Sequence, residues 1–193
     1  MAVQNNDVNW LSDRLRAETD AEHRNLEAGL GFDLHEPSQP LAIAMLRGFY
    51  GVLRQLEPAM LALAPPALAD RGKLVLLRRD LAALGMSAAE IDAIPSPEAP
   101  WLPATRPEAL GALYVMEGST LGGKLIVKAL RRLPDWPLAA QSYFDPYGAE
   151  TGARWQAFKL HLNSTAPQDG DAVVEAAKRT FALLEQWMVE TTA

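Results

Sequence analysis

Apolar residues recur at helical spacing along nearly the whole chain, and almost no stretch alternates with the period of two expected of a half-buried strand. Leu11, Leu15, Thr19, Leu26 and Leu30 share one face of a first helix. Ser38, Gln39 and Pro40 form a helix start. A second helix, Leu41 to Leu63, carries Leu46, Phe49, Tyr50, Leu53 and Leu56 on one stripe, with Pro58 predicting a break or kink. A third runs from Leu68 to Leu84, sets Leu74, Leu77, Leu81 and Leu84 against a basic face, and stops at Gly85. Ser87 and Glu90 make a capping box for a short helix to Ile94, which Pro95 ends. Between Pro95 and Pro107 five prolines and Trp101 predict a loop laid over the surface, because the helices on either side are too few for separate cores. Glu108 to Leu133 is the longest helical stretch, 134–152 is irregular, and two helices follow at about 153–163 and 171–190. The pattern predicts an all-α, single-domain bundle over residues 1–193, with a short polar extension at about residues 1–8.

Composition narrows the function classes. With 193 residues and 49% hydrophobic content the chain is long enough for one sizeable core. A net charge of −6 argues against general nucleic-acid binding, which needs a basic surface. The absence of cysteine excludes disulfides, thiolate-bound haem and cysteine-ligated zinc or iron–sulfur sites, so any iron must take histidine or oxygen ligands. The first ten residues lack the basic and apolar stretches of a signal peptide, and no apolar run reaches membrane-spanning length, which predicts a cytoplasmic protein with no membrane partner.

Two segments carry candidate chemistry. In the first helix Arg16 precedes His23 by seven residues, which places both on one face of a continuous helix, roughly 10 Å apart along the axis. That separation is about the reach from a porphyrin's iron to its propionates. Glu27, one turn beyond His23, is placed to accept the proton of the second ring nitrogen and fix the imidazole. A haem site is therefore one reading; chance placement of charges on an amphipathic helix is the other. The second segment is Tyr114 to Ile126, where Gly118, Gly122 and Gly123 together give up about 3 kcal/mol of helix propensity. Gly118 and Gly122 lie on one face, so they serve either close helix packing or a flat ligand resting on the backbone.

Together these segments resemble the heme oxygenase family. The match takes in the basic residue, Thr19, His23 and Glu27 of the first helix, the three glycines of the long helix, and a third stretch from Tyr143 through Gly148 to Lys159. The wording from Tyr114 to Gly123 is closest to bacterial members, particularly those that supply biliverdin to bacteriophytochromes. The resemblance implies a helical domain that clamps haem, both substrate and cofactor, between a proximal and a distal helix. It assigns His23 as axial iron ligand, Glu27 as its partner, Gly118, Gly122 and Gly123 to the distal helix, and Arg16 and Lys159 to the propionates. Family members often have arginine at the position of Lys159.

The implied reaction cleaves haem with dioxygen to biliverdin, carbon monoxide and ferrous iron, and small distal residues leave room for the ordered water it requires. Ser119 stands where animal members place an aspartate, so Ser119 or Thr120 is the candidate anchor for that water. Electrons come from outside, because the chain has no flavin or nicotinamide fingerprint. Lys124, Lys128, Arg131 and Arg132 are a candidate docking patch for an acidic donor such as a ferredoxin or another reductase, although the helix C-terminus alone also favours cations there. His35 and His161 lack the flanking cation and carboxylate of His23, and Trp101, Trp136, Trp155 and Trp187 are read as core or rim packing. A haem carrier or sensor on the same fold is the rival reading, and a helical interaction protein without haem is the second.

Overall fold

The computed structural model describes residues 9–192, so the expected polar extension at residues 1–8 lies outside the described residues. Eight α-helices follow in chain order: α1 (Trp10–Glu18), α2 (Asp20–Leu30), α3 (Gln39–Leu63), α4 (Leu74–Ala83), α5 (Ala88–Asp92), α6 (Arg106–Leu130), α7 (Thr151–Asn163) and α8 (Gly170–Thr192). Short 3-10 turns occupy 66–71, 148–150 and 167–169, and no strand occurs among the described residues. No helix among them is long and apolar enough to cross a membrane.

Local signals explain most boundaries. The Ser38 hydroxyl accepts from the Leu41 amide to open α3, and capping boxes at Ser87/Glu90 and Thr105/Glu108 open α5 and α6. Gly85, at φ 92°, ends the turn after α4 in a conformation that suits glycine. Three expectations are corrected. The helix expected from Leu68 to Leu84 is a 3-10 turn followed by α4, because the carboxylate of Glu57, on α3, accepts the Lys73 and Leu74 amides at 2.5 and 2.9 Å and starts α4 afresh. Pro58 does not end α3, whose buried Leu56 and Met60 hold the helix against the core on either side of it. The first helix divides at Thr19.

Helices α6 and α8 make the most extensive packed pair, and α3 crosses both while also packing on α4. Gly111 lets α6 approach α8 closely: a Cβ there would collide with the Val173 carbonyl and the Ala176 methyl. The core between them is built from fully buried leucines, Met45, Met60 and Phe158, each worth about 1.5–3 kcal/mol of transfer free energy. Helix α2 rests on α8, while α1 packs on α7 and α8. This arrangement leaves α2 and α6 facing each other across a cleft.

Candidate functional site

Two cavities, of about 370 and 350 Å³, share His23, Val115 and Phe181 in their walls and so form two halves of one cleft. The first half is apolar, walled by Leu26, Leu30, Phe32, Met45, Phe49 and Phe144 among others. The second is polar, walled by Ser12, Asp13, Arg16, Thr19, Asp20, Tyr114 and Lys159, with Gly118 and Trp155. A flat ligand with one apolar edge and one anionic edge fits such a division.

The α2 wall is organised by Thr19. Its backbone (φ −117°, ψ 10°) breaks the expected continuous helix, while its hydroxyl donates to the Leu15 carbonyl at 2.8 Å. The amide bonds Thr19 to Leu15 and His23 to Thr19 persist at 3.0 Å each, so α2 continues closely from α1. Arg16 and His23 still reach the same half of the cleft. His23 stands with its side chain 52% exposed and its ring edge-on to Phe181 at 5.9 Å. Its Nε2 lies 3.7 Å from the Glu27 carboxylate, too long for a hydrogen bond, and the imidazole makes no hydrogen bond among the described residues.

The α6 wall shows two uses of glycine. A Cβ at Gly122 would meet nothing within 4 Å, and one at Gly118 would meet only the Trp155 ring at 3.9 Å. These two positions face open space, so helix packing does not account for them. Gly123 also borders the cleft, but its missing Cβ makes room for the Phe144 carbonyl, which would collide with any side chain. Ser119 lines the apolar half, and its hydroxyl donates to its own helix at the Met116 carbonyl, 2.9 Å away. Thr120 is buried away from the cleft and donates to the Glu117 carbonyl at 2.7 Å. Of the two candidate water anchors, only Ser119 borders the cavity, with its oxygen lone pairs available as acceptor.

At the polar end Arg16 and Lys159 form no ion pair among the described residues, although Asp13 and Asp20 line the same cavity. Burial raises the Tyr114 pKa, against the opposing pull of Thr19 and the Arg16 charge, so its hydroxyl stays protonated at neutral pH. The basic patch beyond the glycines is partly committed elsewhere. Arg131 Nε donates to the Gln141 side chain at 3.0 Å, and Arg132 donates to the backbone carbonyls of Leu34 and His35, pinning the 31–38 connection whose Phe32 and Leu34 close the apolar half. Lys124 and Lys128 form no ion pair among the described residues. His35 and His161 line neither half of the cleft. Trp155 forms its rim, stacked on Phe158 at 5.7 Å and tilted toward Tyr114 at 5.8 Å, while Trp136 is buried and Trp187 bonds the Gly48 carbonyl.

Sequence reasoning missed Phe181, which touches His23 and lines both halves; at helical spacing with Val174, Val173 and Leu184 it reads as ordinary core. It also missed Glu117. This carboxylate is 1% exposed and takes Lys73 Nζ at 2.5 Å, the Tyr147 hydroxyl at 2.8 Å and the Arg71 guanidinium. The signal was a lone acid in an otherwise apolar part of α6.

The donor set fits an iron porphyrin: an imidazole with uncommitted nitrogens on one wall, open backbone opposite, apolar sides and cations at one end. The family model for heme oxygenase matches residues 9–190 of the chain. A heme oxygenase of Xanthomonas campestris pv. campestris is 31% identical over 129 residues, covering 65% of this chain and 73% of that protein. A crystal structure of the NO- and CO-bound heme oxygenase from Neisseria meningitidis superposes with a TM-score of 0.70 and 24% identity, over 94% of this chain and 92% of that one, and so shares the fold. The chain therefore belongs to the heme oxygenase family and is an enzyme of its bacterial type.

Proposed function

We propose that this chain binds haem in the cleft between α2 and α6 and cleaves it, with dioxygen and electrons from an external donor, to biliverdin, carbon monoxide and ferrous iron. The observation that carries the reading is the pairing across the cleft of the half-exposed His23 imidazole, which makes no hydrogen bond among the described residues, with Gly118 and Gly122, whose missing side chains leave open space. His23 would ligate the iron, and Glu27 is close enough to orient the ring once it turns. Arg16 and Lys159 would hold the propionates at the polar end. Bound iron would activate dioxygen on the glycine side of the ring, where the chain itself contributes space, a Ser119 acceptor and apolar walls that restrict water.

Lys124 and Lys128 are the cations left to meet an acidic donor such as a ferredoxin, since Arg131 and Arg132 bond within the chain. The sequence from Tyr114 to Gly123 supports delivery of biliverdin to a bacteriophytochrome.

The test is an absorption time course of the protein with one equivalent of hemin in air, reduced by a ferredoxin system with catalase present. Loss of the Soret band with growth of a broad red biliverdin band is the expected result. A Soret band that persists under reduction would make the protein a haem carrier, and no Soret shift on adding hemin would overturn every haem reading.

A further inference from the structure

Although α6 packs extensively on α8, the glycines that open the cleft remove side-chain packing from its cleft face around Gly118 and Gly122. The three glycines of this stretch also give up about 3 kcal/mol of intrinsic propensity, so contacts at its two ends matter to its position. One segment reaches it on both sides of this stretch. The Phe144 carbonyl sits against the Gly123 backbone, and three residues later the Tyr147 hydroxyl donates to Glu117 at 2.8 Å, immediately before Gly118.

The segment is itself pinned. Asp80, fully buried on α4, accepts the Ser142 and Tyr143 amides at 3.0 and 2.7 Å. Three cations, Arg71, Lys73 and Arg154, lie 5.7, 5.5 and 5.1 Å from the Tyr147 ring centre, and the first two also bond Glu117. Arg154 is tied to Asp70 at 2.5 Å and is followed by Trp155, the residue nearest the open face of Gly118.

We propose that residues 143–147 clamp α6 at Glu117 and at Gly123, and that Glu117 and Tyr147 are thereby positioning residues for the wall opposite His23. An apolar residue at 117 could pack but would impose no direction on its neighbours, whereas the carboxylate collects donors from the 66–73 connection and the 143–150 segment at once and fixes their directions. Burial pushes the Lys73 pKa below its ordinary value, and the charge and hydrogen bond of Glu117 oppose that shift. The bearing of the clamp on the cleft rests on the haem reading above; the clamp itself does not.

Tyr147→Phe and Glu117→Gln test it with two readouts. In the protein without hemin, amide hydrogen exchange in 118–126 should rise about tenfold in either variant, with 173–188 of α8 unchanged. In the reduced hemin complex, the infrared stretch of bound carbon monoxide should shift or split relative to the parent, reporting a displaced or mobile wall. Tyr147→Phe removes only a hydroxyl and keeps the measurement open if Glu117→Gln folds poorly. Unchanged exchange in 118–126, or an equal rise in 118–126 and 173–188, would overturn the clamp. Raised exchange with an unaltered carbon monoxide band would overturn its role at the cleft, and a parent protein that binds no hemin would remove that role while leaving the exchange result standing.

Discussion

Within one helix, α6, glycine does opposite things at its two flanks and in its middle. Gly111 and Gly123 are filled positions: the Val173 carbonyl and Ala176 occupy the place of one side chain, the Phe144 carbonyl the place of the other. Gly118 and Gly122 are vacant positions, with open space where a methyl would stand. The first pair is explained by the fold alone. The second pair is not explained by packing and lines the same cleft as His23, which is why the proposed function places the ligand against it. The same residue type in the same helix is thus assigned to stability or to function by what surrounds its missing Cβ.

The largest expected effect breaks this comparison if it is wrong. Gly111→Ala and Gly123→Ala should each cost about 3 kcal/mol in urea denaturation, since backbone atoms rather than flexible side-chain ends would have to move. Gly122→Ala should instead stabilise the hemin-free protein by about 0.5–1 kcal/mol, the ordinary helix gain over glycine, while perturbing the hemin spectrum. Equal losses at all three positions would place Gly122 with the packing glycines.

The two halves of the cleft sharpen the comparison at a smaller scale. Removing either cation of the polar end, by Arg16→Ala or Lys159→Ala, should weaken hemin binding about five- to tenfold and reduce its salt dependence in fluorescence-quenching titrations. Leu34→Ala, at the apolar end, should leave the salt dependence as it is.

The smallest effect concerns the Asp70–Arg154 contact behind Trp155. The hydrogen bond from Arg154 holds the Asp70 carboxyl below its ordinary range, so the folded chain binds that proton more weakly than the unfolded chain. Its stabilisation is complete above the unfolded pKa of about 4 and is lost as pH falls through the lower folded value. With Asp70 57% exposed, screening limits the contribution to under about 1 kcal/mol. Thermal melts between pH 2 and 5 should therefore be slightly flatter for Asp70→Asn than for the parent.

The legible parts of this molecule were those built from neighbours in sequence. Ser38, Ser87 and Gly85 mark helix ends through their own hydrogen bonds or backbone angles, and the apolar stripes of α3, α6 and α8 follow from periodicity. The division of Leu68–Leu84 was hidden because the cap of α4 is Glu57, about sixteen residues upstream on another helix. Thr19 reads as a helix residue until its hydroxyl is seen bonded to the Leu15 carbonyl. The same rule applies to the site: His23, Glu27, Arg16 and the glycines stand in short motifs, whereas Phe181 and the partners of Glu117 arrive from distant segments whose residues look like core or surface in isolation.

The central claim is that His23 faces the vacant glycines as the ligand to iron. Its most direct test is the electron paramagnetic resonance spectrum of the ferric hemin complex of His23→Ala, recorded with and without added imidazole. The account predicts that the variant loses the parent's axial-histidine signature and that imidazole, entering the space left by the side chain, restores it. A His23→Ala complex with the parent spectrum, indifferent to imidazole, would contradict it.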